Sequence, residues 1–153
     1  MEKIEQFRAF RIDNEDGEIV AGFQTLAPDD LSPGNVLVRV THSTINYKDA
    51  LAATGKGKIL RHYPLNGGID LAGVVVSSDD PAWKPGDDVL VNGTGLSETV
   101  DGGYSEYARV DSKSLVAIPD EISAFEAMQL GTAGYTAALA IHRMEQNGQR
   151  PEG

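Results

Sequence analysis

Asn46, Tyr47, Lys48 and Asp49 place an amide, a phenol, an amine and a carboxylate on four consecutive residues. Such a set can position a polar substrate, relay a proton and offer donors to developing charge. The same residue types also build strand-to-helix turns, with Asn46 or Asp49 capping the backbone. Gly131-Thr132 is a second candidate, because glycine lets the backbone approach a ligand and the hydroxyl can donate. Its plain alternative is a helix break with Thr132 as N-cap. Asp70 stands among Ile69, Leu71, Ala72 and Val74. A carboxylate in so apolar a run needs a partner or a shifted pKa, and Lys48 or Arg39 is available for a structural ion pair.

Charge adds a third candidate. Residues 48–62 carry Lys48, Lys56, Lys58 and Arg61 against Asp49 alone, a net of +3, while the rest of the chain sums to −13. A cationic island on an acidic protein suits an anionic ligand, with Lys56, Lys58 and Arg61 as its contacts. A solvated loop without any ligand would carry the same charges.

Several chemistries lack their residues. With no cysteine there is no disulfide, no thiolate nucleophile and no Cys-ligated zinc or iron–sulfur site. His42, His62 and His142 show no metal-ligand spacing, so no metal is expected. The dinucleotide pattern G-x-G-x-x-G begins at Gly55 and at Gly93 but closes on Leu60 and Glu98. A P-loop fails because Gly55-Lys56 is followed by Gly57. A nucleophile elbow around Ser105 fails at Tyr107, which leaves a serine hydrolase as a poor alternative.

These candidates must be held by strands and turns over the first three quarters of the chain. Residues 4–12 and 18–26 read as a hairpin across the turn Asn14-Glu15-Asp16-Gly17. Residues 36–42 alternate most clearly, with Val36, Val38 and Val40 on one face. Residues 47–53 read as a short helix stopping at Gly55. Residues 69–77 form a continuous apolar strand, followed by strands at 89–91, 104–110 and 115–118. Ser123 and Glu126 then make a capping box. A helix over 124–130 breaks at Gly131, and a second runs to Gln146. Apolar around much of its circumference, the second helix demands burial on more than one side. It leads only into the linker-like Arg150-Pro151-Glu152-Gly153, as the start of a further domain would.

The 153 residues suit one domain, and 41% hydrophobic with 24% charged residues describes an ordinary globular chain. Seventeen glycines favour tight turns over a helical bundle. The net charge of −10 speaks against nucleic acid or an anionic membrane as partner. No apolar run approaches the roughly 18 residues of a membrane helix, and the first six residues hold no signal core, so a cytoplasmic location is expected.

Five segments occur in a telling order: Ser43-Thr44-Ile45-Asn46-Tyr47-Lys48-Asp49, Gly68-Ile69-Asp70-Leu71-Ala72-Gly73-Val74-Val75, Pro85-Gly86-Asp87-Asp88-Val89, Gly102-Gly103-Tyr104-Ser105-Glu106-Tyr107 and Gly131-Thr132-Ala133-Gly134-Tyr135-Thr136-Ala137. In this order they resemble medium-chain dehydrogenase/reductases, specifically the zinc-independent, quinone oxidoreductase-like branch that includes acrylyl-CoA reductase. The resemblance implies a mainly β fold with C-terminal helices, a GroES-like, partly open β-barrel whose Rossmann domain is absent from this chain. Residues 1–122 would be the substrate domain and 123–153 a helical connector toward that missing domain. Zinc-dependent members have a Cys within the Ile45-Asn46 stretch and a His where Ile69 stands.

The resemblance further implies reduction of an activated alkene, such as an acryloyl-CoA-like enoyl thioester, or of a quinone, with NADPH as cofactor and the isolated chain inactive. Asn46, Tyr47 and Asp49 would be catalytic, and Tyr47, Lys48 and Thr132 would meet the cofactor. A small-molecule substrate and self-association through uncovered edges follow as expected partners. A non-catalytic GroES-like binding or oligomerisation module is the alternative.

Overall fold

The computed structural model describes residues 4–150. Residues 1–3 and the last three of the linker-like stretch lie outside the described residues. Strand β1 (Phe7–Glu15) pairs antiparallel with β2 (Glu18–Leu26) from Phe7↔Leu26 to Glu15↔Glu18. The turn is tighter than the sequence suggested. Only Asp16 and Gly17 form it, both at positive φ, as a hairpin with right-handed strand twist requires.

Strand β3 (Val36–His42) follows, then helix α1 (Tyr47–Thr54), which ends on a left-handed Gly55. The short β4 (Leu65–Asn66), which no sequence signal announces, adds to β1 and completes a three-stranded sheet, β2-β1-β4. The second sheet has the order β7-β3-β5-β6-β8, built from β5 (Asp70–Ser78), β6 (Asp88–Asn92), β7 (Tyr107–Val110) and β8 (Val116–Ala117). All its pairings are antiparallel.

Tyr104 and Ser105, read from the sequence as the start of β7, join the sheets instead. Phe10 N–H donates to Tyr104 O at 2.7 Å, and Ala9 bridges Ser105. The result is a partly open β-barrel. Its interior holds Val36, Val38, Leu71, Val75, Val89 and Val91, the inward residues of the alternating strands.

Helix α2 (Ala124–Gln146) starts on the capping box foreseen: Ser123 Oγ accepts from Glu126 N–H at 3.2 Å, and Glu126 Oε2 accepts from Ser123 N–H at 2.8 Å. Its first turns bury Ala127 and Met128 against Ala72 and Ile118. At Gly131 the backbone leaves helical geometry, with φ of 50°. Beyond this kink Tyr135, Leu139, Ile141 and Met144 are exposed. No helix among the described residues is long and apolar enough to cross a membrane.

Candidate active site

Asp70 opens β5 and is fully buried. Neither Lys48 nor Arg39 reaches it; neutral donors from three segments do. Thr44 Oγ1 donates to Asp70 Oδ2 at 2.5 Å and Asn46 Nδ2 to the same oxygen at 3.1 Å. From α2, Thr132 N–H donates to Oδ2 at 3.1 Å, and the Thr132 hydroxyl donates to Oδ1. Asn46 Nδ2 also donates to Thr44 Oγ1 at 2.7 Å. Two sequence candidates 86 residues apart, Asn46 and Thr132, therefore meet on one carboxylate.

The other members of the Asn46–Asp49 segment separate. Asp49 is buried, and its two oxygens accept from Asn46 N–H at 2.8 Å and Ile69 N–H at 3.0 Å. That satisfies the first turn of α1 and ties it to the start of β5, a capping use of the carboxylate. Tyr47, at the first position of α1, is 80% exposed. Lys48 Nζ meets Glu98 Oε2 at 2.6 Å, and Arg61 Nη2 meets Glu98 Oε1 at 3.4 Å. Lys48, by hydrogen bond and by charge, holds the Glu98 carboxyl below its ordinary value, with a smaller contribution from Arg61.

The cationic island is thus divided. Lys48 and Arg61 share Glu98, while Lys56 and Lys58 stand exposed beyond α1. None of the four lines the main cleft.

That cleft encloses about 700 Å³ between the β1–β2 hairpin, the end of β3, α1 and the Gly103–Glu106 segment. Its walls are mostly apolar, with Phe10, Phe23, Val40, Ile45 and Tyr104 prominent. Ser43, at its inner wall, donates to the Asp70 carbonyl at 2.6 Å, and Tyr104 OH donates to the Thr44 carbonyl at 2.8 Å. These bonds tie the backbone of Asp70 and Thr44 to the cleft wall, while Thr44, Asn46, Asp70 and Thr132 themselves do not line the cleft. Burial, with the Asp49 and Asp70 carboxylates nearby, pushes the Tyr104 phenol well above its ordinary value and keeps it neutral.

Arg8 is the cation at this cleft; its guanidinium lies 4.9 Å from the Phe23 ring centre. Sequence reading missed Arg8, Phe10 and Phe23. The two-residue turn was the missed signal, since it fixes the register that sets Phe10 opposite Phe23. Ser105 Oγ also borders the cleft but is buried without a hydrogen-bond partner, so no histidine among the described residues activates it.

The antiparallel barrel with its kinked C-terminal helix is the fold of a GroES-like domain. Residues 32–120 match the alcohol dehydrogenase GroES-like domain, and the chain belongs to that family. YhfP of Bacillus subtilis (strain 168), named as a quinone oxidoreductase, is 47% identical over 146 residues, covering 95% of this chain and 44% of that protein. The acrylyl-CoA reductase AcuI of Ruegeria pomeroyi is 42% identical over 139 residues, covering 91% and 42%. The yhdH oxidoreductase of Salmonella enterica, solved in complex with NADP, superposes with a TM-score of 0.92 at 46% identity, covering 95% of this chain and 45% of that one. The chain thus spans a little under half the length of these relatives.

Proposed function

We propose that this chain forms the substrate half of a zinc-free, NADPH-dependent oxidoreductase that reduces an activated alkene of the acryloyl-CoA kind or a quinone. The observation that carries the reading is the convergence of Asn46 and Thr132 on Asp70, whose backbone carbonyl is bonded to the wall of an apolar cleft, in a chain similar to an NADP-bound oxidoreductase. A bound nicotinamide cofactor supplies hydride chemistry. The chain's own residues supply shape, orientation and protons.

Phe10, Phe23 and Ile45 exclude water from a flat or acyl substrate. Asn46 and Thr132 would hold the cofactor, and the exposed Tyr47 phenol, next to Asn46 in the chain, would deliver or relay the proton. Asp49 acts by holding the start of α1, and Lys48, which braces the same turn on Glu98, would meet the cofactor from there. Lys56 and Lys58, with Arg61 at their edge, suit the phosphates of a coenzyme A tail. The exposed apolar face of residues 132–146 supports a connector role for residues 123–153, and the open edge of β2 supports self-association.

The test is a fusion of this chain to the nucleotide-binding half of the R. pomeroyi relative. Once nucleotide binding is verified by NADPH fluorescence, NADPH should be consumed in proportion to added acryloyl-CoA or quinone. A fusion that binds NADPH yet reduces neither class would refute the assignment.

A further inference from the structure

We propose that Arg8 is a specificity-determining residue, selecting substrates that carry a carboxylate at the end of a flat apolar body. That the bound molecule is reduced rests on the reading above; the preference for the anion rests on the cleft alone.

Arg8 and Phe10 stand two residues apart on the face of β1 that lines the cleft, and the register sets Phe23 opposite Phe10 and Thr25 opposite Arg8. Phe23 is therefore the diagonal neighbour of Arg8, and the guanidinium lies over its ring. The Gly103–Glu106 segment runs alongside. Phe10 N–H donates to Tyr104 O at 2.7 Å, and Glu106 N–H donates to Arg8 O at 3.0 Å. Arg8 and Glu106 thus mark one end of this wall and Phe10 and Tyr104 the other, about 7 Å apart along the strand. Tyr104 OH bonds to the carbonyl of Thr44, a member of the Asp70 cluster. An elongated ligand whose reacting end lies at Tyr104 places its far end at Arg8.

The Arg8 guanidinium has donors to give. The ion pairs among the described residues are Arg11–Asp101, Lys48–Glu98 and Arg61–Glu98, so Arg8 has no carboxylate partner in a chain with 23 acids against 13 bases. Two other charged groups border the cleft, and both are turned to backbone. Glu106 Oε2 accepts from the Arg8 backbone N–H at 2.6 Å, and the Asp49 oxygens accept from Asn46 and Ile69 N–H. A guanidinium keeps its charge and holds parallel donors in one plane, the complement of a carboxylate. Stacking on Phe23 restrains that plane without blocking its N–H edge, which lowers the entropy lost on clamping an anion. Lys56, Lys58 and Arg61 lie outside the cleft, so this contact is separate from the one suited to a coenzyme A tail.

Two probes of equal shape test the claim: para-carboxybenzylideneacetone, a planar enone with a carboxylate across the ring, and its uncharged carboxamide. Titrated into the isotope-labelled chain under nuclear magnetic resonance, the carboxylate should bind roughly threefold to tenfold tighter and shift the Arg8 Nε–H. Added salt should shrink the gap, because the site is open to solvent. Arg8→Gln should erase the preference and Arg8→Lys should keep part of it. The double variant Lys56→Gln/Lys58→Gln should leave it whole.

Equal affinities, tighter binding of the carboxamide, binding of neither probe, or a preference that survives Arg8→Gln would each overturn the inference. Should Arg8→Gln fail to fold, the probe pair and the Arg8 Nε–H shift in the unaltered chain still decide it. Turnover by the fusion enzyme tests the reductase reading separately. A fusion that reduces acryloyl-CoA or quinone while the chain treats both probes alike would remove only the role given to Arg8. The probe preference in a chain whose fusion reduces nothing would remove only the reductase reading.

Discussion

Asp70 accepts two hydrogen bonds from Thr132, one from its backbone N–H and one from its hydroxyl, across 62 residues of chain. The contact joins the first residue of a buried barrel strand to the kink of the exit helix. Two interactions from one residue fix a direction as well as a distance. The barrel therefore dictates the angle at which residues 132–146 leave it.

Gly131 is the hinge of that arrangement. Its φ of 50° disfavours any side chain, and an added Cβ would lie 2.6 Å from Thr44 Cγ2 and 3.1 Å from Asp70 Oδ2. Gly131→Ala should cost about 2–4 kcal/mol, combining the left-handed penalty with overpacking. Gly86→Ala is the control, since its φ is also positive but its Cβ would meet nothing within 4 Å. Urea unfolding of both variants checks the point; equal losses would mean that the contact with Thr44 is unimportant.

A second buried carboxylate is paired in the opposite way. Asp101 accepts from Arg11 Nη1 at 3.1 Å, Asn66 N–H at 2.7 Å and both donors of Ser32 at 2.7 and 2.9 Å. This ties β1, β4 and the segment before β3 together with a true ion pair. Asp101→Asn leaves Arg11 buried and uncompensated, which should cost about 3–5 kcal/mol. The double variant Arg11→Met/Asp101→Asn should recover part of that loss in a thermal melt. No recovery would assign the loss to the neutral hydrogen bonds instead.

Local periodicity made β2, β3 and both helices readable from the sequence, to the residue for β2 and β3. Capping chemistry at Ser123 and the glycine after Thr54 did the same for the helix ends. Failures arose where long-range pairing overrides local pattern. Tyr104 looks like strand β7 but spends its carbonyl on Phe10 in the other sheet. The partners of Asp70 illustrate the limit best. Charge arithmetic favoured Lys48 or Arg39, whereas the fold satisfies the carboxylate with hydroxyl, amide and backbone donors, which no charge count reveals.

Stability should respond to pH at both extremes, through different residues. Glu98 has a lowered pKa when folded, so its contribution is present above about 4.5 and is lost as pH falls through the lowered value. Tyr104 has a raised pKa, so its contribution holds below about 10 and fades as pH climbs past that point. Melting temperatures of wild type and Glu98→Gln should differ near neutrality and converge in acid. The neutral-pH gap should be modest, about 1 kcal/mol or less, because the pair is partly solvated. Tyr104→Phe should flatten the alkaline limb alone, and an unchanged limb would show that another group governs it.

Tyr47 and Asp49 stand two residues apart and should fail in opposite assays. Tyr47 is 80% exposed and makes no hydrogen bond through its hydroxyl among the described contacts, so Tyr47→Phe should move stability by no more than about 0.5 kcal/mol. In the fusion enzyme the same change should lower kcat by roughly 10²–10⁴ with KM little altered, the range of a lost proton donor. Asp49→Asn does the reverse. It trades a charged acceptor of the Asn46 and Ile69 N–H groups for a weaker one, so unfolding should shift by about 1–3 kcal/mol. Activity should then fall only as far as the start of α1 loosens. Full activity in Tyr47→Phe would move the proton source to water, and an Asp49→Asn variant that is stable but inactive would return that carboxylate to the chemistry.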